Sequence, residues 1–103
     1  MTNLGKPENK IEQKLCEGVK RLGGRAYKLV SPGCAGLPDR LICFPYGRVV
    51  FAELKSPKGR LSKLQTHRIN ELEKLKQDVW VISTPEQVEA FLQEMRGEIY
   101  GDI

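Results

Sequence analysis

Residues 48–55 read Arg-Val-Val-Phe-Ala-Glu-Leu-Lys, and this stretch constrains the fold more than any other part of the chain. Its apolar centre, Val49 to Ala52, is typical of a strand that is covered on both faces. Glu53 and Lys55 lie two residues apart, so they point to the same face of that strand. Because a buried Glu or Lys is costly unless it is paired or bound to a metal, the pair is either a salt bridge near a strand end or part of a functional site.

The remaining apolar patterns predict three helices and three further strands. Apolar residues recur at helical spacing near the N-terminus and stop at a glycine pair: Ile11, Leu15, Val19 and Leu22, then Gly23 and Gly24. This pattern predicts a first helix with Pro7 in its first turn. Strands are expected over residues 25–30, 40–44, 48–55 and 79–82, and a second helix over residues 62–76. Thr84 and Pro85 fit the start of a final helix, which is expected to fray from Gly97 onward.

This order of elements, α-β-β-β-α-β-α, predicts an α/β fold in which helices flank a central mixed β-sheet. The 103 residues are enough for one domain, expected to span residues 1–103 with a core over about residues 7–95 and flexible ends. The N-terminus lacks the apolar segment of a secretory signal, and no run approaches the ~20 apolar residues of a membrane span. A cytoplasmic protein is therefore expected, in a bacterial host cell if a phage encodes it.

The cysteines and the distribution of charge indicate which kinds of site and which partners to expect. The three cysteines, Cys16, Cys34 and Cys43, form no C-x-x-C pair, which favours neutral thiols over disulfides or a zinc site. The net charge of +4 is uneven: residues 1–60 carry twelve Lys or Arg against five Asp or Glu, and residues 61–103 carry five against eight. A basic N-terminal part suits a partner with phosphates, although an ordinary solvated surface explains it equally well.

Asp39 supplies a second carboxylate that can lie near Glu53. A Pro-Asp sequence often marks only a turn or a strand entry, but a short hairpin joins the strand that follows Asp39 to the strand of Glu53. Two nearby carboxylates repel each other unless a cation lies between them. Carboxylate oxygens, a backbone carbonyl such as that of Leu54, water and phosphate suit Mg²⁺ or Mn²⁺. With Lys55 beside it, such an ion is what metal-assisted cleavage of a phosphodiester requires.

Each of the first two helices carries a polar residue on its apolar face. Glu12 lies on the apolar arc of the first helix at ~100° per residue, where a carboxylate needs a reason. Glu8 shares that arc, but the helix dipole explains a negative charge in the first turn, so Glu12 is preferred. On the second helix, Gln65 either completes a capping box with Ser62 or faces the metal site and positions water or phosphate. His67 points away from the apolar arc and is interpreted as solvated.

Three segments in order resemble the VRR-NUC domain of the virus-type replication-repair nucleases: Gly36-Leu37-Pro38-Asp39, Glu53-Leu54-Lys55 and Leu61-Ser62-Lys63-Leu64-Gln65. The resemblance covers about residues 8–92 and is to the stand-alone form found in phages and bacteria, within the PD-(D/E)XK nucleases and their restriction-endonuclease-like fold. It implies that Asp39 and Glu53 bind the metal, assisted by the carbonyl of Leu54. It also implies that Lys55 orients or helps to activate water, and that Glu12 and Gln65 complete the site.

The resemblance further implies a structure-selective DNA endonuclease that uses Mg²⁺ (or Mn²⁺) and forms a homodimer on branched DNA such as four-way (Holliday) junctions. A flap or single-strand nuclease, a nickase, a non-catalytic DNA-binding module on the same fold, and a structural protein with an acidic partner stay open as alternatives. No nucleotide cofactor is expected, because the sequence has no Gly-rich phosphate loop. The candidate DNA-backbone contacts are basic residues: Lys58, Arg60, Arg40, Lys14, Lys10 and Lys6.

Overall fold

The computed structural model describes residues 7–101, so the predicted N-terminal lead with Lys6 lies outside the described residues. The side chains of Pro7 and Glu8 lie outside them as well. The elements follow one another as α1 (Pro7–Arg21), β1 (Arg25–Lys28), β2 (Arg40–Cys43), β3 (Val49–Leu54), α2 (Lys63–Lys74), β4 (Val79–Ile82) and α3 (Pro85–Tyr100), with a short 3₁₀ turn at Pro45–Gly47. The predicted α-β-β-β-α-β-α order is confirmed.

The four strands form one mixed sheet in the order β1-β2-β3-β4. β1 and β2 pair antiparallel, as do β2 and β3, while β3 and β4 run parallel. The antiparallel hairpin follows from the tight turn between β2 and β3, and the parallel pair needs the crossover that α2 supplies. β3 therefore has a neighbour on each side, which fits its long apolar run.

The two faces of the sheet carry different residues. Val50, Ala52 and Leu54 of β3 are buried on the face covered by α1 and α3. Because side chains alternate along a strand, Phe51 and Glu53 point to the opposite face, where α2 lies. The core is the α1/α3 side, formed by Ile11, Leu15, Val19, Ile42, Phe44, Val50, Ala52, Leu54, Ile82, Val88, Phe91, Leu92 and Met95.

The end of α3 differs from the prediction. The helix continues through Gly97 to Tyr100, so the expected fraying from Gly97 is wrong. The hydroxyl of Tyr100 donates a hydrogen bond of 2.7 Å to the carbonyl of Leu22, which ties the last turn of α3 to the end of α1. A tertiary contact therefore extends a helix that its own glycine weakens. The predicted strands at residues 25–30, 40–44 and 48–55 are also shorter in the structure, by one or two residues.

The three cysteines are free thiols that are partly buried, and burial raises the pKa of Cys16. Within residues 7–101, no helix is long and apolar enough to cross a membrane.

Candidate active site

Asp39 is fixed between two strands at the edge of the sheet where β1 and β3 end. Its carbonyl accepts a hydrogen bond of 2.7 Å from the N–H of Leu29, which continues the β1–β2 ladder by one residue. Its carboxylate Oδ2 accepts a hydrogen bond of 3.0 Å from the N–H of Leu54. The predicted hairpin thus brings Asp39 to the end of β3, beside Glu53.

Glu53 is the most unusual side chain of this region, because it is a carboxylate that is only 1% exposed. Its Oε2 lies 3.1 Å from Nε2 of Gln65 and 3.5 Å from Nζ of Lys55. Its Oε1 is buried and has no hydrogen-bond partner among the described residues. Burial above all, and then the negative charge of Asp39, raise the pKa of Glu53 from 4.5 to about 7, although the nearby Lys55 lowers it.

These features fit a divalent cation. An orphaned carboxylate oxygen beside a second carboxylate is a set of hard oxygen donors, which Mg²⁺ and Mn²⁺ prefer. In a β-strand, the N–H and C=O of one residue point to the same side, so the carbonyl of Leu54 points toward the side where its N–H meets Asp39. Within residues 7–101, His, Cys, Asp and Glu form no group of three or more that could hold a metal. An ion bound here would take its other ligands from backbone, water or phosphate.

Lys55 is placed to add positive charge to the site. Its N–H donates 3.0 Å to the carbonyl of Ile82, so the backbone of Lys55 extends the β3–β4 ladder beyond Leu54. Its side chain is 23% exposed and lies next to the nearly buried carboxylate of Glu53. The side chain of Lys55 therefore lies against the carboxylate of Glu53 and is also partly exposed to solvent.

Gln65 satisfies both interpretations that the sequence left open. Its Oε1 accepts a hydrogen bond of 2.9 Å from the N–H of Ser62, while its own N–H donates 3.1 Å to the hydroxyl of Ser62, which forms a complete capping box. The other end of the same amide donates to Glu53 at 3.1 Å. Gln65 thus begins α2 and also contacts the candidate metal ligand.

Glu12 lies on the opposite face of the sheet from Glu53. It forms an ion pair of 3.1 Å with Arg40, whose side chain is only 12% exposed. Arg40 is opposite Ala52 in the β2–β3 register, which places both on the α1/α3 face. The ion pair is a physical reason for a carboxylate on the apolar arc of α1. A catalytic role for Glu12 stays a prediction, and the side chain of Glu8, the alternative, lies outside the described residues.

The candidate DNA-contacting residues differ in their exposure and in their contacts with the rest of the protein. Lys58 and Arg60 are exposed in the loop that follows β3, and Lys10 is exposed on α1. Lys14 is half-exposed and lies 3.7 Å from Glu89. Arg40 also donates 3.1 Å to the carbonyl of Ala26, so its guanidinium is engaged by the protein itself and its contact with DNA stays a prediction that no feature of this structure supports.

Two positions shape the site more than the sequence indicated. Gly36 has a φ of +87°, and a Cβ there would lie 2.7 Å from Cγ of Leu64, so the loop before Asp39 packs directly on α2. Arg68 lies on the apolar arc of the second helix, where the sequence suggests a contact with a phosphate or an acidic partner. It lies 3.3 Å from Glu71 and donates 2.9 Å to the carbonyl of Ala35 in that loop. A glycine three residues before the aspartate was the available signal for the loop, whereas nothing in the sequence indicated Ala35 as a partner of Arg68.

His67 is exposed and lies 3.8 Å from Glu71, which agrees with its interpretation as a solvated side chain.

Asp39 and Glu53 place two carboxylates at the ends of adjacent strands of a mixed sheet, and Lys55 follows Glu53 by two residues. This arrangement defines a restriction-endonuclease-like α/β domain. Comparison with known proteins makes the class more specific. A solved structure titled "VRR_NUC domain" matches with a TM-score of 0.80 and 26% identity, over 85% of this chain and 96% of that one. The resemblance that the three motifs carry is confirmed: this chain folds as a VRR-NUC domain.

A sequence relative points in the same direction. The chain is 50% identical over 50 residues to a protein of Acyrthosiphon pisum secondary endosymbiont phage 1 that carries the name "Putative nuclease p44". The match spans 48% of this chain and 54% of the relative, so the chain covers about half the length of that curated protein. No family model matches the chain.

Proposed function

We propose that this protein is a metal-dependent DNA endonuclease that hydrolyses phosphodiester bonds, with Mg²⁺ or Mn²⁺ as its cofactor. The observation that carries the proposal is Glu53: a carboxylate 1% exposed, next to Asp39 and Lys55, with an unpartnered Oε1. A buried carboxylate oxygen without a partner is costly, and a cation bound beside it would remove that cost. The nuclease name of the phage relative and the VRR-NUC fold support the same activity.

Each residue of the site has a distinct task in this proposal. Asp39 and Glu53 would hold the cation, with the carbonyl of Leu54 as a further oxygen ligand. A cation bound there would polarise a phosphoryl oxygen and make a water molecule more acidic. Lys55 places a positive charge where negative charge develops in the transition state, and it orients the attacking water. Gln65 keeps the carboxylate of Glu53 in place through its amide N–H.

DNA is proposed to approach from the side of the β3–α2 loop. Lys58 and Arg60 are exposed there, directly after Lys55, and can hold phosphates on either side of the cleaved bond. Lys10 and Lys14 on α1 are further candidates for more distant phosphates. Contacts of this kind fix the DNA without reading its sequence, and they make the affinity fall steeply as salt rises.

Branched DNA and a homodimer form the finer part of the proposal. A symmetric pair of active sites suits a two-fold junction in which two strands are cut. Apolar surface on the Glu53 face of the sheet supports a second copy as the partner: Tyr27, Val49 and Val81 are each more than two-fifths exposed. Sedimentation of the purified protein at micromolar concentration tests this. A fully active monomer contradicts the dimer and leaves the nuclease proposal intact.

The deciding experiment is a cleavage assay on labelled four-way junction, flap, single-stranded and plain duplex DNA. Each substrate is incubated with Mg²⁺, with Mn²⁺ and with EDTA, for the parent and for Asp39→Ala. Glu94→Ala, which removes an exposed carboxylate of α3, is the matched control. Metal-dependent cutting by the parent and the control, absent in Asp39→Ala, supports the proposal, and the fastest substrate identifies the preferred DNA. Binding without cutting under every condition refutes it.

A further inference from the structure

The side-chain amide of Gln65 can adopt only one of its two flipped orientations, because its oxygen faces a hydrogen-bond donor and its nitrogen faces an acceptor. Its oxygen accepts from the N–H of Ser62 at 2.9 Å, and its nitrogen donates to Oε2 of Glu53 at 3.1 Å. A flipped amide would put an oxygen against the carboxylate and an N–H against another N–H, so both contacts would become repulsive. The capping box therefore selects the orientation in which Gln65 donates to Glu53.

This orientation decides which oxygen of Glu53 is free. Oε2 receives the amide N–H of Gln65 and lies 3.5 Å from Nζ of Lys55. Oε1 is buried and has no partner among the described residues. Because the carboxylate is 1% exposed, water cannot easily compensate for a turned side chain. Holding Oε2 in place is thus what presents Oε1 to a cation.

We infer that Ser62 is a positioning residue for the metal site, acting through the amide of Gln65 and not by contact with the ion. The inference rests on the proposal that Asp39 and Glu53 bind the cation. It adds that Ser62, the N-cap residue of α2, affects the affinity of the site for the metal. The backbone N–H of Ser62, which holds the amide oxygen, remains when the side chain is replaced. The side chain contributes its hydroxyl, which accepts from the backbone N–H of Gln65 at 3.1 Å and fixes the first turn of α2, from which the amide of Gln65 reaches Glu53.

The chain contains a matched control for this idea. Thr84 caps α3 in the same way, since its hydroxyl accepts from the N–H of Gln87 at 3.1 Å. There the side-chain oxygen of Gln87 accepts from the N–H of Ser83 at 2.7 Å. In the part of the chain that the structure describes, neither Thr84 nor Gln87 hydrogen bonds to Asp39 or Glu53. Losing this cap weakens a helix without touching the proposed metal ligands.

The experiment measures Mn²⁺ binding to the DNA-free protein by electron paramagnetic resonance of the free ion, and the urea midpoint of unfolding beside it. Ser62→Ala is expected to weaken Mn²⁺ affinity by about threefold to tenfold, less than the tenfold or more expected for Gln65→Ala, because Ser62 acts at one remove. Ser62→Thr keeps a capping hydroxyl and restores the affinity. Thr84→Ala lowers the urea midpoint as Ser62→Ala does but leaves Mn²⁺ affinity unchanged.

The double variant decides whether Ser62 acts through Gln65. Ser62→Ala should have no further effect on Mn²⁺ affinity once Gln65 is alanine, because the amide whose position the capping hydroxyl restrains is gone. An equal effect in both backgrounds overturns the inference, as does a parent-like affinity in Ser62→Ala. Equal losses of affinity in Ser62→Ala and Thr84→Ala overturn it as well, since they would reflect stability alone. A parent that binds no Mn²⁺ overturns both this inference and the proposed metal site.

Discussion

Replacing Glu53 by glutamine measures the cost of keeping a carboxylate in this site without a cation. Glu53 is 1% exposed, and burial, followed by the charge of Asp39, raises its pKa from 4.5 to about 7. Glutamine has nearly the same shape. Its oxygen can accept from Gln65 in the place of Oε2, so the substitution removes the charge while it keeps the packing.

The size and sign of the effect follow from linkage. The change from 4.5 to about 7 corresponds to about 3 kcal/mol, at 1.36 kcal/mol per pKa unit. A carboxyl group with a raised pKa holds its proton more tightly in the folded protein than in the unfolded chain. The contribution of this group to the stability of the parent is therefore fully present below about pH 4.5 and is lost as the pH rises through about 7. Glu53→Gln should match the parent near pH 4 and exceed it by up to about 3 kcal/mol at pH 8.

Urea unfolding in EDTA, followed by the fluorescence of Trp80, is the assay. Trp80 packs edge-on against Phe91 in the core, with ring centroids 5.1 Å apart, so unfolding changes its environment. Glu94→Gln on the exposed side of α3 is the control and should change stability little at either pH. A stability difference between Glu53→Gln and the parent that is the same at pH 4 and pH 8 would refute the reasoning.

Adding the cation should reverse the order. Ligand binding to the folded state stabilises it by RT ln(1 + [L]/Kd), which is about 4.1 kcal/mol when the ion is present at a thousand times its Kd and therefore exceeds the deficit of about 3 kcal/mol. Saturating Mn²⁺ at pH 8 should thus raise the unfolding free energy of the parent and change that of Glu53→Gln far less. Equal stabilisation of the two proteins would place the ion somewhere other than at Glu53.

Three further predictions concern the surroundings of Glu53. Lys55→Ala should lower kcat roughly a hundredfold with little change in DNA affinity, measured by single-turnover cleavage beside filter binding; a change in affinity alone contradicts its role at the reacting phosphate. Lys58→Ala combined with Arg60→Ala should reduce the slope of log affinity against log salt by about two, and an unchanged slope removes this loop from the DNA surface. Gly36→Ala should lower the free energy of unfolding by about 2 kcal/mol or more, because φ is +87° and a Cβ would lie 2.7 Å from Leu64; a parent-like urea midpoint contradicts the described packing of the loop on α2.

Local patterns were sufficient to predict the elements and the contacts between residues close in sequence, but not several partners that lie far apart in the sequence. The strand at residues 79–82 and the caps at Ser62 and Thr84 were predictable, since period and capping chemistry act within a few residues. The end of α3 was not, because Tyr100 bonds to Leu22, 78 residues away in the sequence. Tertiary contacts of this kind override the weak preference of a glycine for ending a helix.

Arg40 is a second residue whose contacts could not be predicted from the sequence. Its positive charge favoured a contact with DNA. The register places it opposite Ala52, on the face of α1, where Glu12 pairs with it at 3.1 Å. Consecutive residues of a strand face opposite sides, so Asp39 and Arg40 are separated by the sheet although they are adjacent in sequence. Which residue faces which side could be decided only once the pairing of β2 with β3 was known.

The register of β3 therefore determines whether this chain has a site at all. Val50, Ala52 and Leu54 fill the core on one face, and Glu53 occupies the other because it lies between two of them. A slip by one residue would move Glu53 into the apolar core and Leu54 to the site, at the cost of burying an unpaired charge. Parallel pairing with β4, which sets Glu53 opposite Val81 and Leu54 opposite Ile82, opposes that slip. The apolar residues that stabilise the fold thus also place the carboxylate beside Asp39, and a change that weakens β3 packing should reduce metal affinity together with stability.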